Sequence, residues 1–324
     1  MNRVRLQHYV PQFLLQRFTD RSGALAVYDK KNGRSFSTGP RAVAAESFYY
    51  DLDIDERSVL TLESGLAEVE GQSAQIIDHI HRDESLAGLS PDDRGMLAYF
   101  VAIQSLRTQH QRANLRHLSR LLIERVNSVV PPDRPEAKLP VPTEDYAKRM
   151  SMALILDGAK DIALILVDKP WILARAPDED LYIGDNPVAM HNERDFGFYG
   201  NIGFAVPGVE IHMPLSSRFT LFIPCKSWEA HTRKVTADLD LLRRLDPRAW
   251  EELQAHVQPF RTLIKAIDEG VPLDLRPENV ERENSLQVGY AGRWVFSRTG
   301  DFELVERMIV DDPRHRAGPF GTVS

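Results

Sequence analysis

The spacing of apolar residues along the chain changes twice, and the first segment predicts a short helix followed by a β-hairpin. In "RLQHYVPQFLLQRFTD" (residues 5–20), the apolar run after Pro11 is typical of a helix with proline at its start. Apolar and polar residues then alternate through "GALAVYDKKNGRSFSTG" (residues 23–39). This segment turns at Lys31-Asn32-Gly33, and an Asn-Gly step between alternating runs favours a tight hairpin turn.

Helical spacing dominates the middle of the chain. It predicts one helix over residues 61–82 and a long one over residues 90–126, with Ser90 as the N-cap and Pro91 at the first helical position. The proline-rich stretch 129–145 predicts a loop or linker, and a further helix follows over residues 143–159.

Strand-like spacing returns in the second half. It covers residues 169–176, 180–191 and 209–224, and a further strand is predicted within residues 286–298. A helical block over residues 237–268, broken near Pro247 and Pro259, separates them, and residues 311–324 form a loose tail.

These elements predict an α+β fold rather than a repeating strand–helix–strand order. Its centre is mostly helical, with the β-hairpin on the N-terminal side and an antiparallel or mixed sheet in the C-terminal half. We expect one large domain over residues 1–310, with sub-regions 1–130 and 145–310 joined by the proline-rich loop.

Composition narrows the class of protein. Across 324 residues the formal net charge is −7, so overall charge gives no reason to expect nucleic-acid binding, although a local basic surface is compatible with it. No run of 18 apolar residues and no signal-peptide pattern occurs, which predicts no membrane span and a cytoplasmic location. The single cysteine excludes an internal disulfide bond.

Charged residues on apolar helix faces are the first chemical signal. Gln104 and Arg107 interrupt the apolar run of the long helix and share one face. A buried guanidinium needs a carboxylate or an anionic ligand, so Arg107 is either half of a structural ion pair or an anion-binding residue. Glu63 and Glu70 share an apolar face of the preceding helix and could pair with Arg107 or ligate a hard divalent cation.

Acidic residues near strand ends are the second signal. In "YIGDNPVAM", Asp185 and Asn186 follow a strand, where such residues either act chemically or cap backbone N–H groups. Glu210 and His212 share one face of a later strand. This order is similar to the restriction-endonuclease-like nucleases, in which two acids hold Mg²⁺, but His212 stands where those proteins carry lysine.

Arg112, Arg116 and Arg120 repeat every four residues and form a stripe on one helix face. The stripe is either a solvated surface or a phosphate-contacting one. No glycine-rich phosphate loop, paired CxxC or HExxH motif accompanies it.

Several of these stretches together resemble a known family. "HYVPQFLLQRF", Glu46 beside Tyr49 and Tyr50, the Glu63–Glu70 helix, "QSLRT" and "GDNPV" resemble, over roughly residues 5–300, a bacterial domain of unknown function (number 4238). Its members typically begin with a His-x-Val-Pro-x-Phe/Tyr-Leu-x-x-Phe motif. The resemblance carries no activity, but it implies that these residues belong together: His8, Gln12, Glu46, Glu63, Glu70, Gln104, Arg107, Asp185 and Asn186.

The resulting expectation is one polar pocket with hydrolytic chemistry, on a phosphodiester in a metal-dependent phosphodiesterase or nuclease. The expected catalytic residues are His8, Glu46, Glu70, Arg107 and Asp185, with Gln12, Gln104 and Asn186 binding substrate. Glu63, Glu70 and Asp185 would ligate Mg²⁺ or Mn²⁺. The partner would be nucleic acid or a small anion. The alternative is a non-catalytic binding or effector module whose buried polar network is structural.

Overall fold

The computed structural model describes residues 4–53, 58–194 and 203–321, and its fold is α+β. The helices are α1 Gln12–Leu15, α2 Glu63–Asp83, α3 Pro91–Leu106, α4 Gln109–Ser128, α5 Glu144–Ala153, α6 Ala159–Val167, α7 Lys226–Leu245, α8 Pro247–Glu269, α9 Pro277–Tyr290 and α10 Glu303–Asp311. A π-helical turn, Leu154–Gly158, joins α5 to α6. Of the described helices, none is both long and apolar enough to cross a membrane.

The strands form two larger sheets and two small ribbons. They are β1 Leu6–His8, β2 Leu25–Asp29, β3 Arg34–Thr38, β4 Ala45–Ser47, β5 Asp51–Asp53, β6 Val59–Thr61, β7 Ile172–Arg175, β8 Ile183–Gly184, β9 Ala189–His191, β10 Glu210–Pro214, β11 Phe219–Ile223, β12 Leu273–Asp274 and β13 Trp294–Ser297. The five-stranded sheet has the order β12-β7-β11-β10-β9 and contains one parallel pair, β12 with β7. The mixed sheet predicted for the C-terminal half is therefore confirmed.

The predicted hairpin is also present, but its sheet extends across the chain. Strands β2 and β3 pair in antiparallel register, and Gly33 takes the positive φ of 62° that the turn requires. The sheet order is β3-β2-β13-β8, so the N-terminal hairpin pairs with strands from the second half. The two predicted sub-regions therefore share a sheet.

The long helix predicted over residues 90–126 is two helices. Helix α3 ends at Leu106, and α4 begins after Thr108, whose hydroxyl accepts a hydrogen bond from Gln111 N. Neither proline nor glycine marks this break. The sequence signal is Thr108-x-x-Gln111, a pattern typical of helix N-termini. The break turns Arg107 inward, where it is fully buried.

Four further segments differ from the sequence prediction. Helix α7 begins at Lys226 rather than near residue 237, and Pro259 lies inside α8 without ending it. The strand predicted within residues 286–298 is present as β13, but it covers only Trp294–Ser297, because α9 extends to Tyr290. The tail expected to be loose instead contacts α4, because Gly321 N donates to Asn114 Oδ1 and the ring of Phe320 packs on two histidines of that helix.

Candidate functional site

The β1–β4 ribbon separates the predicted site residues into two groups. Gln7 lies opposite Glu46, and His8 lies opposite Ala45. Because neighbouring side chains on a strand point to opposite faces, His8 and Glu46 project to different sides of the ribbon. His8 lines a pocket of about 330 Å³, which we call the His8 pocket. Glu46 lines a cavity of about 810 Å³, which we call the arginine cavity.

The His8 pocket brings four of the predicted residues together. His8, Gln12, Glu63 and Glu70 line it with apolar neighbours from α1 and α2. His8 Nε2 lies 3.2 Å from the Arg41 carbonyl oxygen, and Nδ1 lies 3.4 Å from Gln12 Nε2. A neutral ring that donates from Nε2 and accepts at Nδ1 satisfies both contacts. Burial lowers the pKa of His8, which favours this neutral form.

Beneath the pocket, Arg107 belongs to a hydrogen-bonded network. Its Nη1 donates to Glu70 Oε1 at 2.7 Å, and its Nε donates to Gln104 Oε1 at 2.8 Å. Gln104 in turn donates to the Tyr9 carbonyl oxygen at 2.9 Å. Burial opposes the charge of Arg107, but Glu70, together with Tyr50 and Glu63, outweighs it and raises the Arg107 pKa. Only Nη2 lacks a hydrogen-bond partner among the described residues. The carboxylate that a buried Arg107 requires is therefore Glu70.

The predicted metal ligands do not assemble into one site. Burial and the neighbouring Glu70 raise the pKa of Glu63, so these two carboxylates do share a surface. Asp185 does not join them, and within the part of the chain that is described no group of three or more His, Cys, Asp or Glu residues is placed to hold a metal ion. Asp185, Glu210 and His212, whose order is similar to that of the nucleases, do not form one site either. His212 forms ion pairs with Glu210 and Glu283, and Asp185 is not among its partners.

Asp185 binds backbone instead. Its carboxylate accepts hydrogen bonds from the N–H groups of Gly292, Arg293 and Trp294 at 2.6, 2.9 and 3.0 Å. Burial raises the pKa of Asp185 although these bonds favour the charged form. Both oxygens are engaged, so the carboxylate fixes the loop that enters β13. Of the two roles considered for this residue, the geometry favours capping of backbone N–H groups.

Lys30 and Asn186 also hold the segment between α9 and β13 in place. Lys30 Nζ donates to the carbonyl oxygens of Val288 and Ala291, each at 2.6 Å, at the C-terminal end of α9. Asn186 accepts from the Thr108 hydroxyl at 2.9 Å and donates to the Tyr290 carbonyl oxygen. Asn186 therefore ties the α3–α4 break to the loop that carries Arg293.

The arginine cavity is the larger of the two spaces, and its volume lies within the range usual for small-molecule sites. Its cationic lining comes from three distant segments: Arg112, Arg116 and Arg120 on α4, Lys148 on α5, and Arg293 before β13. Glu46, Glu144 and Asp145 supply the negative charge. The stripe read from the sequence therefore lines a cavity rather than a simple solvated face.

The cationic side chains of this cavity differ in whether a carboxylate neutralises their charge. Arg116 pairs with Glu144, Arg120 lies 3.7 Å from Glu124 and Arg293 lies 2.8 Å from Asp29. Lys148 donates to the Phe48 carbonyl oxygen at 2.7 Å. Three of the five cations thus have carboxylate partners, and Lys148 has a backbone acceptor.

Arg112 is the exception. It is 8% exposed, and its guanidinium carbon lies 3.5 Å from the centre of the Tyr49 ring, on which it stacks. In the described part of the chain, its guanidinium donates only to the Tyr49 carbonyl oxygen. No carboxylate among the described residues forms an ion pair with it, and its Nε is buried without a hydrogen-bond partner. The Tyr49 hydroxyl is also buried, and no described residue forms a hydrogen bond with it. A buried cation without a carboxylate in ion-pair contact is costly, so this wall of the cavity is suited to an anion.

Glu46 is the carboxylate presented on the same wall. Gln109 donates a hydrogen bond to it. Burial raises the pKa of Glu46, and the nearby charge of Arg112 only partly opposes this. Strand β4 lies between Ala44 and Phe48, whose φ angles of 53° and 54° are unfavourable for residues other than glycine. Such backbone strain is concentrated at functional sites.

The structure thus divides the nine residues expected to form one pocket. His8, Gln12, Glu63 and Glu70 surround one pocket above Gln104 and Arg107, Glu46 lines the other, and Asp185 and Asn186 brace the loop beside it. The sequence analysis did not predict that Tyr49 stacks on an arginine, or that Lys148 and Arg293 line the cavity. Only the regular arginine stripe on α4 was a visible signal, because the other cations come from segments far apart in sequence.

A family model described as "Protein of unknown function (DUF4238)" matches residues 6–301. No curated protein matches the chain, and no solved structure does.

Proposed function

Since the chain belongs to the DUF4238 family, whose description names no activity, we propose a function from the site itself: the arginine cavity binds a phosphate-bearing ligand. The buried and unpaired guanidinium of Arg112 is the observation that supports this proposal. A phosphate oxygen in the cavity can supply the ion-pair contact that Arg112 lacks. Lys148 also lines the cavity, and the charge of Arg112 is, after burial, the next largest cause that lowers the pKa of Lys148.

The other cations would act at longer range. Arg116 and Arg120 have side chains about half exposed and already compensated by glutamates. They would raise the local concentration of an anion without being essential to its binding. Arg112 would therefore contribute most of the affinity.

We expect Arg112→Met to weaken binding of inorganic phosphate and pyrophosphate by about 10- to 100-fold, because a charged hydrogen bond is worth about 1.5–3 kcal/mol. Folding stability should stay the same or rise, since the variant removes an uncompensated buried charge. Calorimetric titration gives the affinity, and thermal unfolding gives the stability.

Arg94→Met is the matched control. Arg94 stacks on Trp171 at 4.3 Å and donates to the Lys169 carbonyl oxygen at 2.7 Å, so its surroundings resemble those of Arg112, but it does not line the cavity. Its affinity for phosphate should equal that of the wild type. Unchanged phosphate binding by Arg112→Met would contradict the proposal.

A second candidate function, hydrolysis of a phosphodiester, is favoured by Glu46. A carboxyl group with a raised pKa beside an anion-binding arginine is suited to proton transfer. In the proposed step, the Glu46 carboxylate takes a proton from water and the water oxygen bonds to phosphorus. The bond from phosphorus to the leaving oxygen then breaks, and solvent protonates that oxygen. His8 has no part in this step, because it lines the other pocket.

We expect Glu46→Gln to lower the rate of hydrolysis of bis(p-nitrophenyl) phosphate by about 10²- to 10⁴-fold, the usual contribution of a general base. The wild-type rate should rise with pH as Glu46 loses its proton. The assay has separate arms with Mg²⁺, with Mn²⁺ and with a chelator.

Glu144→Gln serves as the control for this assay. Glu144 lines the same cavity, but its side chain is 72% exposed and already paired with Arg116. It should retain nearly full activity. Equal rates for Glu46→Gln and wild type would reject the proposed hydrolysis, and so would the absence of hydrolysis by the wild type in every arm. The proposal of phosphate binding would then depend only on the Arg112→Met titration.

A further inference from the structure

The rim of the arginine cavity carries an aromatic wall. The ring of Phe320 packs edge-on against His110 and His117, with ring centres 5.0 and 5.3 Å apart. Phe320 and both histidines line the cavity, and Phe320 is 44% exposed. An apolar ring that stays this exposed beside a row of cations offers a stacking surface to a ligand.

The residues on either side of Phe320 in the sequence, Pro319 and Gly321, are both hydrogen-bonded to α4. His110 Nε2 lies 2.9 Å from the Pro319 carbonyl oxygen, and Gly321 N donates to Asn114 at 2.8 Å. Gly318 lies so close to the His110 ring that an added Cβ would come within 2.7 Å of it. The backbone is therefore fastened to α4, so the exposure of the ring follows from the way this segment is attached.

The wall and the anion site lie at two edges of the same cavity. His110 and His117 are seven residues apart and share one face of α4, whereas Arg112 lies about 140° around the helix from His117. A ligand that contacts both would span the cavity, with its ring on Phe320 and its phosphate at Arg112. Aromatic rings combined with arginines are the usual surface for unpaired nucleotides, because every base has a face that can stack.

We propose that the ligand of the arginine cavity is a nucleoside phosphate, with its base stacked on Phe320 and His117 and its phosphate bound at Arg112. This inference rests on the proposed phosphate-binding function and adds the class of ligand. The nucleoside phosphate is either a free nucleotide or one unit of a single strand.

Calorimetric titrations with adenosine 5′-monophosphate and ribose 5-phosphate test this inference. We expect the nucleotide to bind at least tenfold more tightly than the sugar phosphate. Phe320→Ala should weaken nucleotide binding by about tenfold and leave the affinity for ribose 5-phosphate unchanged, because only the stacking contact is lost. Phe320→Trp should retain nucleotide binding, which shows that the segment tolerates substitution.

Phe36→Ala is the matched control, since Phe36 is a similarly exposed ring that does not line the cavity. It should bind both ligands like the wild type. A short oligothymidylate that binds more tightly than the mononucleotide would identify the source as a strand, and weaker binding would identify a free nucleotide. Both results support the nucleoside-phosphate class.

Two outcomes overturn the inference and are distinguishable. If adenosine monophosphate and ribose 5-phosphate bind equally and both depend on Arg112, phosphate binding holds and the nucleoside assignment fails. If neither binds to the wild-type protein, both proposals fail.

Discussion

Replacing Arg107 with alanine should destabilise the protein by about 3–5 kcal/mol, because it leaves Glu70 without its partner and Gln104 without its donor. The lower end is expected, since the Glu70 side chain is 26% exposed and keeps part of its hydration. The melting temperature should fall by roughly 5–10 °C. Denaturant titration followed by circular dichroism measures the change.

Two further variants sharpen this test. Arg307→Ala removes an exposed ion pair with Glu281 and should cost less than about 1 kcal/mol. The double variant Arg107→Met with Glu70→Leu should recover part of the loss, because it removes both charges together. If Arg107→Ala were as stable as the wild type, Arg107 would be a strained binding residue rather than part of the architecture.

The largest pH effect should come from His212. It is fully buried, stacks on Phe222, and has Nδ1 2.9 Å from Glu283 Oε1 and Nε2 3.7 Å from Glu210. Neither ring nitrogen has a well-formed hydrogen bond among the described residues, so the two glutamates act on His212 through short ion-pair distances. Burial opposes the charged ring, but the two glutamates outweigh it and raise the pKa of His212 to about 9.

The direction of the pH effect follows from this pKa. A histidine whose pKa is higher in the folded than in the unfolded protein stabilises the fold fully below the unfolded value, near 6.5. That contribution is lost as pH rises through about 9. We therefore expect the free energy of unfolding to fall between these pH values by up to about 3 kcal/mol, at about 1.4 kcal/mol per pKa unit.

Comparison with His212→Gln isolates this contribution. The difference between the two stability curves should shrink as pH rises, since other groups, such as the buried Lys30, titrate alike in both proteins. His79→Gln, which removes an exposed ion pair with Asp83, should follow the wild-type curve. Parallel curves for wild type and His212→Gln across this range would show that His212 is neutral in the folded protein.

Local sequence signals predicted several elements because those signals act over a few residues. The Asn32-Gly33 turn fixed the hairpin, and Ser90 with Pro91 fixed the start of α3. The break at Thr108 was missed because apolar spacing continued across it. That one error matters, since the break separates Arg107, which turns into the core, from Arg112, which turns into the cavity.

The candidate site was less predictable than the fold. The argument that a buried arginine requires an anion was made for Arg107, and it holds physically, but the structure supplies Glu70 there. The same argument applies to Arg112, whose burial depends on Tyr49 stacking over it. Burial of a charge is a property of the packed chain, and helical spacing alone cannot assign it.

The sequence by itself determined the α+β class, the hairpin, the arginine stripe on α4 and membership of the family, because each depends on local order or on similarity along the chain. Only the tertiary structure decided which charges are compensated. The alternation of the β1–β4 ribbon sent His8 and Glu46 to different cavities, and Asp185 was taken up by three backbone N–H groups. Partners for buried charges come from segments distant in sequence, so their assignment requires the folded chain.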